Sequence, residues 1–229
     1  MAQKKVGDGL GPYIRSWIFG LEDGIISTAG LVLGVSVATH DASLVILAAL
    51  AAAVPGAISM AAGDYLGSKS QREVQESRVQ RLRQNVAHAR QRVLRELKQR
   101  YLGEGFTSRE IAPWLHRLKQ NKELLLRKYE EECGCIPELF ERPFINAVTM
   151  CISFLLGAFV PLFPFLIIPL FSVGGAQLTS FGTAGLSLFV IGAAKTRFTG
   201  RSWTKSGVEM LLVGLGAAIV GYGLGLILG

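Results

Sequence analysis

The stretch from Leu44 to Tyr65, LVILAALAAAVPGAISMAAGDY, determines the class of fold to which this chain belongs. It carries no charge before Asp64 and is as long as a helix that crosses a bilayer, which needs about 20 apolar residues. Met60 and Asp64 stand near its end, four residues apart, so both side chains lie on one face of a helix. Because a carboxylate at the edge of hydrocarbon is costly unless the protein uses it, the stretch predicts a membrane span that ends in a functional site.

The composition indicates a polytopic membrane protein and excludes a soluble globular domain. Half of the 229 residues are hydrophobic, and several apolar runs are longer than a soluble core needs. Residues 1–15 are polar and basic, so we expect no cleaved secretory leader before the first span. Two of the three cysteines form Cys133-x-Cys135 in a charged region, which is not a disulfide framework and does not indicate an oxidising compartment.

Apolar windows of sufficient length predict five membrane spans, of which the fourth is the least regular because three glycines interrupt it. The expected spans are Ile18–Ala38, Leu44–Tyr65, Phe144–Leu166, Thr179–Ala194 and Gly207–Leu228. We therefore expect an all-α membrane protein with five transmembrane helices and a cytosolic helical insertion between the second and the third.

Three segments are expected along the chain: residues 1–65 with the first two spans, residues 66–142 as the cytosolic helical domain, and residues 143–229 with the last three spans. Small residues such as those of Gly30-xxx-Gly34 let helices approach closely, either within one bundle or across a dimer.

The positions of the positive charges predict the orientation in the membrane. All 24 Lys and Arg residues fall before the first span, in the connection 66–143 or in the connection 195–206, which five spans place on one side. Since Lys and Arg collect on the cytosolic side, we expect the N-terminus in the cytosol and the C-terminus on the opposite side, in the plasma membrane if the source is a prokaryote. The net charge of +7 thus indicates membrane topology and contact with lipid, and no nucleic-acid partner is expected.

The long connection is expected to be helical and to continue directly from the second span, because its apolar residues recur at helical spacing. A break is expected at residues 103–107. Thr107 and Glu110 have the spacing of a capping box that opens a second helix. A third helix is expected around Lys119–Cys133, ending near Gly134.

Asp23, in the first span, lies at a depth that matches Met60. At 1.5 Å per residue, Asp23 is roughly 10 Å into the membrane if the first span begins at Ser16. The second span runs the opposite way and ends near Leu66, so Met60 is roughly 9 Å from the same face and Asp64 is nearer the rim. The three side chains can therefore share one site.

A carboxylate beside a thioether suits a transition metal of intermediate softness such as Fe²⁺ or Mn²⁺ better than Ca²⁺ or Mg²⁺, which prefer oxygen alone. A buried carboxylate also exchanges protons, and proton flux could then drive metal flux.

Other roles for these residues remain open. Met60 by itself could fill a gap in packing. Asp64 could face water at the membrane rim or pair with Lys69 or Arg72. Glu209, early in the last span, is expected at the membrane interface, with the ion pathway as its alternative position.

Two stretches, DGIISTAGLVLGV at residues 23–35 and SMAAGDY at residues 59–65, with Ser70-Gln71-Arg72 after them, resemble the signature stretches of the vacuolar iron transporter family. The resemblance covers essentially the whole chain. It implies a homodimeric transporter, not an enzyme, that moves Fe²⁺ and often Mn²⁺ out of the cytosol in exchange for protons and holds no permanently bound cofactor. It also implies that Asp23 and Met60 line the path, whereas the family usually has Glu where this chain has Asp64.

The insertion departs from the family, many members of which carry repeated metal-collecting glutamates there. Here it holds 17 basic and 11 acidic residues, so on average it should repel a free divalent cation. One dense patch remains: Glu130, Glu131, Glu132, Cys133, Cys135, Glu138 and Glu141.

The resemblance places Glu132 at a ligand position of the family, and Cys133 and Cys135 could add thiolates to a cytosolic metal site with Glu131 and Glu132. The alternative for this patch is a solvated helix end with idle thiols.

Three functions follow from these features. The first is a transporter of Fe²⁺ or Mn²⁺ that acts through Asp23, Met60 and Asp64. The second is the same transporter without the cytosolic metal-gathering step. The third is a non-transporting membrane scaffold or regulator of the same fold, whose basic helices bind anionic lipid or an acidic partner.

Overall fold

The computed structural model describes residues 11–135, 140, 142–167 and 173–228 of the chain. Within these residues all regular structure is helical and no strand is present. The helices are α1 (Gly11–Thr39), α2 (Ala42–His88), α3 (Arg90–Gly103), α4 (Ser108–Gln120), α5 (Lys122–Glu132), α6 (Pro143–Leu166), α7 (Val173–Ala194), α8 (Thr196–Thr199) and α9 (Trp203–Leu228). Five of them, α1, α2, α6, α7 and α9, are long and apolar enough to cross a membrane, which confirms the predicted all-α membrane fold.

Three of the expected spans begin too late. The first helix begins at Gly11, seven residues before the predicted Ile18. The fourth span begins at Val173 and not at Thr179, because Gly174 and Gly175 are already helical and the Thr179 hydroxyl donates a 2.6 Å hydrogen bond to the Gly175 carbonyl. The fifth span begins at Trp203, four residues before the predicted start. Residues 168–172, between the expected third and fourth spans, lie outside the described residues.

The chain divides into two compact units. The membrane unit comprises Met1–Gly67 and Arg142–Gly229, and the insertion unit comprises Ser68–Glu141. Because α2 is one helix from Ala42 to His88, the predicted continuation of the second span into the connection is confirmed.

In the membrane unit, α1 packs against α6, α7 and α9. Glycines bring the backbones together: a Cβ added at Gly34 would lie 2.8 Å from the carbonyl oxygen of Gly221, closer than real Cβ contacts. Gly24 faces the backbone of Phe154 on α6 in the same manner. Gly30-xxx-Gly34 therefore serves packing within one bundle, as its first interpretation held.

The membrane-spanning part of α2 meets the other helices through side chains only. Val45 and Ala49 pack with Val32 of α1 and with Leu162 and Phe165 of α6. Further along, Ala53 and Ala57 pack with Phe154 and Ala158 of α6. Since the helix is held by two small apolar clusters and not by backbone contact, space remains between α2 and α1.

The insertion unit has its own apolar core, made by Val86, Val93, Leu97, Leu118 and Leu125.

Two internal boundaries of this unit, α3–α4 and α4–α5, have local causes. The Thr107 backbone N–H donates a 2.8 Å hydrogen bond to Glu110 Oε2, as predicted for the opening of α4. The third helix begins later than expected, at Lys122, because Asn121 is extended and its side-chain oxygen accepts from the Leu124 N–H. It ends before Gly134, which adopts a left-handed φ of 67° and so confirms the predicted end.

The glycine contacts lead to a stability prediction. Gly221→Ala should lower the free energy of unfolding by about 1 to 3 kcal/mol, because the new methyl group meets the Gly30 backbone and forces α9 away from α1. Gly216→Ala, on the same helix with nothing within 4 Å, is the matched control and should change little. Thermal unfolding of both purified variants in one detergent measures the difference, and equal stabilities would contradict the close crossing of α1 and α9.

Candidate functional site

A cavity of about 300 Å³ opens between α1, α2 and α6 in the membrane unit. Its polar lining comes from Asp23, Ser27 and Thr28 of α1 and from Ser59 and Met60 of α2. The structure thus brings Asp23 and Met60 to one cavity.

Small residues on α2 create this space. Ala49, Ala52, Ala53 and Gly56 recur at helical spacing and line the cavity opposite α1. A Cβ at Gly56 would lie 3.1 Å from the Phe154 ring, which forms the wall from α6. The signal was present in the sequence as a stripe of alanines, but alanine is equally common in tightly packed helices, so the stripe alone does not predict a cavity.

The carboxylate of Asp23 has no ion pair or hydrogen bond within the described part of the chain. Ser27 Oγ donates a 2.6 Å hydrogen bond to the backbone carbonyl of Asp23 and leaves the side chain untouched. Asp23 therefore presents a carboxyl group to the cavity, and no cationic side chain of the described residues pairs with it. An unpaired carboxyl group in a membrane span costs free energy, and such groups are typical of ion pathways.

Met60 lies at the edge of the cluster formed by Ala53, Ala57, Phe154 and Ala158, and it also lines the cavity. Packing and ion contact are therefore compatible roles for this side chain. Its thioether is polarisable and unbranched, so it can shift toward a soft cation without disturbing the backbone.

Asp64 is placed differently from the other two. It does not line this cavity, and only 9% of its surface is exposed. Ser16 Oγ donates a 2.7 Å hydrogen bond to Asp64 Oδ2, and Arg15 Nη2 lies 3.3 Å from Oδ1. The charge of Asp64 is thus balanced where α1 begins.

The pairing of Asp64 with Lys69 or Arg72 is wrong, since these two residues pair with Glu73 and Glu76 one turn further on. Spacing along a helix cannot reveal the true partner, because Arg15 precedes Asp64 by 49 residues.

Glu209 is exposed and lies outside the cavity lining. Glu22 of α1 does not line the cavity either.

In the insertion unit, Glu130, Glu131 and Glu132 of the predicted acidic patch each have a cationic neighbour, although Glu130 Oε1 makes no hydrogen bond within the described residues. Glu130 lies 3.6 Å from Arg83, Glu131 lies 2.7 Å from Lys128, and Glu132 lies 3.6 Å from Arg100. The Cys133 side chain is exposed, whereas Cys135 is buried with its Sγ 3.6 Å from the Cys133 carbonyl. Among the residues that the structure describes, no three metal-binding side chains come together; Glu138 and Glu141 fall outside that part.

Two Tyr–Glu hydrogen bonds connect α3 to α5. Tyr101 donates to Glu132 and Tyr129 donates to Glu96, each at 2.9 Å. Burial, followed by these hydrogen bonds, raises the pKa of both tyrosines to about 12. Hydrogen bonds from Arg92 and then Tyr129 lower the pKa of Glu96. These carboxylates therefore serve as acceptors that hold the insertion unit together.

Known proteins resemble this chain over nearly its whole length. Residues 14–226 match the model of the VIT family. The chain is 30% identical over 215 residues to vacuolar iron transporter 1 of Oryza sativa subsp. japonica, with 93% of this chain and 84% of that protein covered. It is 29% identical over 205 residues to vacuolar iron transporter 1 of Arabidopsis thaliana, with 89% and 81% covered. It is also 30% identical over 212 residues to vacuolar iron transporter cccA of Arthroderma benhamiae, with 86% and 73% covered.

The Tyr–Glu pairs predict a specific alkaline sensitivity. Because the folded-state pKa of Tyr101 is raised from 10.0 to about 12, its stabilising contribution is complete below pH 10 and is lost as the pH rises through about 12. Tyr101→Phe should lower the free energy of unfolding by about 1 kcal/mol at neutral pH and reduce the loss of stability in this window. Hydrogen exchange of α3 and α5 in the full chain measures both effects.

Tyr65→Phe is the matched control for this experiment, because Tyr65 is exposed and has no hydrogen bond within the described residues. If Tyr101→Phe and Tyr65→Phe lose protection equally with rising pH, the Tyr101–Glu132 bond does not hold α3 to α5.

Proposed function

The chain belongs to the VIT family, and on that premise we propose that it moves Fe²⁺, Mn²⁺ or both out of the cytosol in exchange for protons. Its relatives are named vacuolar iron transporters, and it is a membrane transporter and not an enzyme. The transported ion is its substrate, and we propose no permanently bound cofactor.

One observation carries this proposal: Asp23 and Met60, from two different membrane helices, line the same cavity. A carboxylate oxygen and a thioether sulfur form a donor pair that suits Fe²⁺ and Mn²⁺. The pair also favours transport over the alternative of a membrane scaffold, because a scaffold needs neither an unbalanced charge nor a cavity within its membrane helices.

The cavity accounts for how an ion could be held. The carboxylate of Asp23 offsets part of the ion's charge, and the hydroxyl groups of Ser27 and Ser59 provide further oxygen atoms near it. The small side chains of α2 leave room for retained water. Partial hydration lowers the cost of moving a divalent cation into the membrane.

The opposite end of the cavity is closed by an apolar cluster. Val32 of α1, Val45 and Ala49 of α2, and Leu162 and Phe165 of α6 pack together there. An ion bound at Asp23 cannot pass this cluster unless α2 moves against its neighbours. We therefore propose alternating access, with the cluster as the barrier on the side away from the cytosol.

Proton exchange is assigned to Asp23. When the cation leaves, a carboxylate in a low-dielectric cavity is left unpaired, and protonation removes that cost. Asp64 is proposed to support the path indirectly, by joining α2 to Arg15 and Ser16 at the cytosolic end of α1.

We further propose that the insertion unit takes little part in metal capture. Glu130, Glu131 and Glu132 are already engaged by cationic side chains, so a metal ion would have to displace these partners. The ion is then taken directly from solution or from a carrier. The homodimer that the family resemblance implies remains part of the proposal.

Substitutions at the cavity test this function in proteoliposomes made with the full chain. Asp23→Asn should slow Mn²⁺ and Fe²⁺ transport about 100-fold, since it removes the charged ligand at almost constant volume. Met60→Leu should slow transport of these ions about 10-fold by removing the sulfur. Met210→Leu, in the buried cluster that α1, α7 and α9 form, is the control and should transport as the parent does. Parent-like rates in both cavity variants would contradict the proposed path.

A pH gradient provides a separate prediction about coupling. Metal uptake should rise when protons can flow in the opposite direction, and it should acidify the compartment that the metal leaves. A pH-sensitive dye inside the vesicles records this proton movement during Mn²⁺ uptake. If Mn²⁺ moves at the same rate with and without the gradient and the dye signal stays flat, transport is not coupled to protons.

A further inference from the structure

Thr28 of α1 is a buried residue that lines the same cavity. It is 5% exposed, and it lines the cavity together with Asp23 and Met60. Within the described residues, its hydroxyl makes no hydrogen bond. A hydroxyl oxygen that has no partner in the protein and opens onto a cavity can accept a ligand or water there.

Four other threonines of the membrane unit behave differently. Their hydroxyl groups donate to a carbonyl one turn earlier in the same helix, as helical threonines commonly do. These bonds are Thr39 to Val35 at 2.8 Å, Thr179 to Gly175 at 2.6 Å, Thr183 to Thr179 at 2.9 Å and Thr196 to Ala193 at 2.6 Å. Even Ser27, beside Thr28, uses its hydroxyl in this way. Thr149 of α6 also makes no hydrogen bond within the described residues, but it is less buried than Thr28 and does not line this cavity.

Thr28 also lies further along α1 than Asp23. Five residues separate them, which is roughly 7.5 Å along the helix at 1.5 Å per residue. Beyond Thr28 the cavity is lined by Leu31 and Ala49, and Ala49 already belongs to the apolar cluster that closes it. Thr28 therefore provides the last side-chain oxygen of the cavity before that barrier.

We propose that the oxygen of the Thr28 hydroxyl is a second contact for the transported divalent cation, which reaches it after leaving Asp23 and Met60. The proposal rests on the transport function given above. A hydroxyl is neutral, so it binds the ion more weakly than Asp23 does, and a sequence of strong and weak sites allows an ion to move on. Fe²⁺ and Mn²⁺ both accept oxygen ligands. The small residues Ala52 and Ala53 leave room for the ion at this level.

The test separates the hydroxyl from the shape of the side chain. Thr28→Val replaces the hydroxyl by a methyl group at nearly equal volume, whereas Thr28→Ser keeps the hydroxyl. Thr183→Val is the matched control, because the Thr183 hydroxyl is already bonded within α7. The full chain is reconstituted in proteoliposomes, and initial rates of Mn²⁺ uptake are measured from low to saturating Mn²⁺ concentration.

We expect Thr28→Val to lower the maximal rate about tenfold, which corresponds to about 1.4 kcal/mol. The Mn²⁺ concentration at half-maximal rate should change little, because Asp23 and Met60 still bind the ion. Thr28→Ser and Thr183→Val should remain within about twofold of the parent.

Three results would overturn the proposal. The first is a parent-like maximal rate in Thr28→Val. The other two are a maximal rate in Thr28→Ser or in Thr183→Val that falls as much as it does in Thr28→Val, because either result would assign the effect to packing. If parent vesicles carry no Mn²⁺ or Fe²⁺, the transport function itself fails, and the role of Thr28 fails with it.

Discussion

The rest of the membrane unit depends on the close approach of α1 to α6 and α9. Glycines place these backbones in contact, so that a Cβ at Gly34 would meet the carbonyl oxygen of Gly221 and one at Gly24 would meet the backbone of Phe154. Helices in such contact move as one body, because no flexible side chain lies between them to absorb a shift. The second span is held by small side chains instead, and the cavity lies on that looser side of α1.

Asp23 and Asp64 both lie where α1 faces α2, but their different neighbours give them different roles. Asp64 accepts from Ser16 and pairs with Arg15, and it thereby joins α2 to the beginning of α1. Asp23 has no such partner within the described residues and faces the cavity. With the Asp64 pair at one end of the α1–α2 interface and the apolar cluster of Val32 and Val45 at the other, α2 is held at both ends. The charge that needs a cation lies between them.

Much of the fold could be predicted from the sequence, because hydropathy acts locally and each long apolar run marks a membrane helix by itself. The proximity of Asp23 and Met60 also follows from local geometry, since two antiparallel helices that enter from the same face have equal rise per residue. The partner of Asp64 could not be predicted, because Arg15 is distant in sequence and carries no spacing signal. The same holds for Thr28: a threonine in an apolar helix usually bonds to its own backbone, and only the packing of α2 shows that this one does not.

The glutamates of the insertion unit that face cationic side chains are poor candidates for selecting a metal ion. Glu132 accepts a hydrogen bond from Tyr101 and faces Arg100. A metal ion that binds Glu132 must displace these partners, and the free energy of the lost contacts lowers its affinity. Similar competition acts on Glu130 and Glu131, which face Arg83 and Lys128. Asp23 has no competitor within the described residues, and its neighbour Met60 adds a donor that discriminates against hard cations. Under the proposed function, discrimination among ions therefore arises within the membrane helices, where each binding group is left free by the fold.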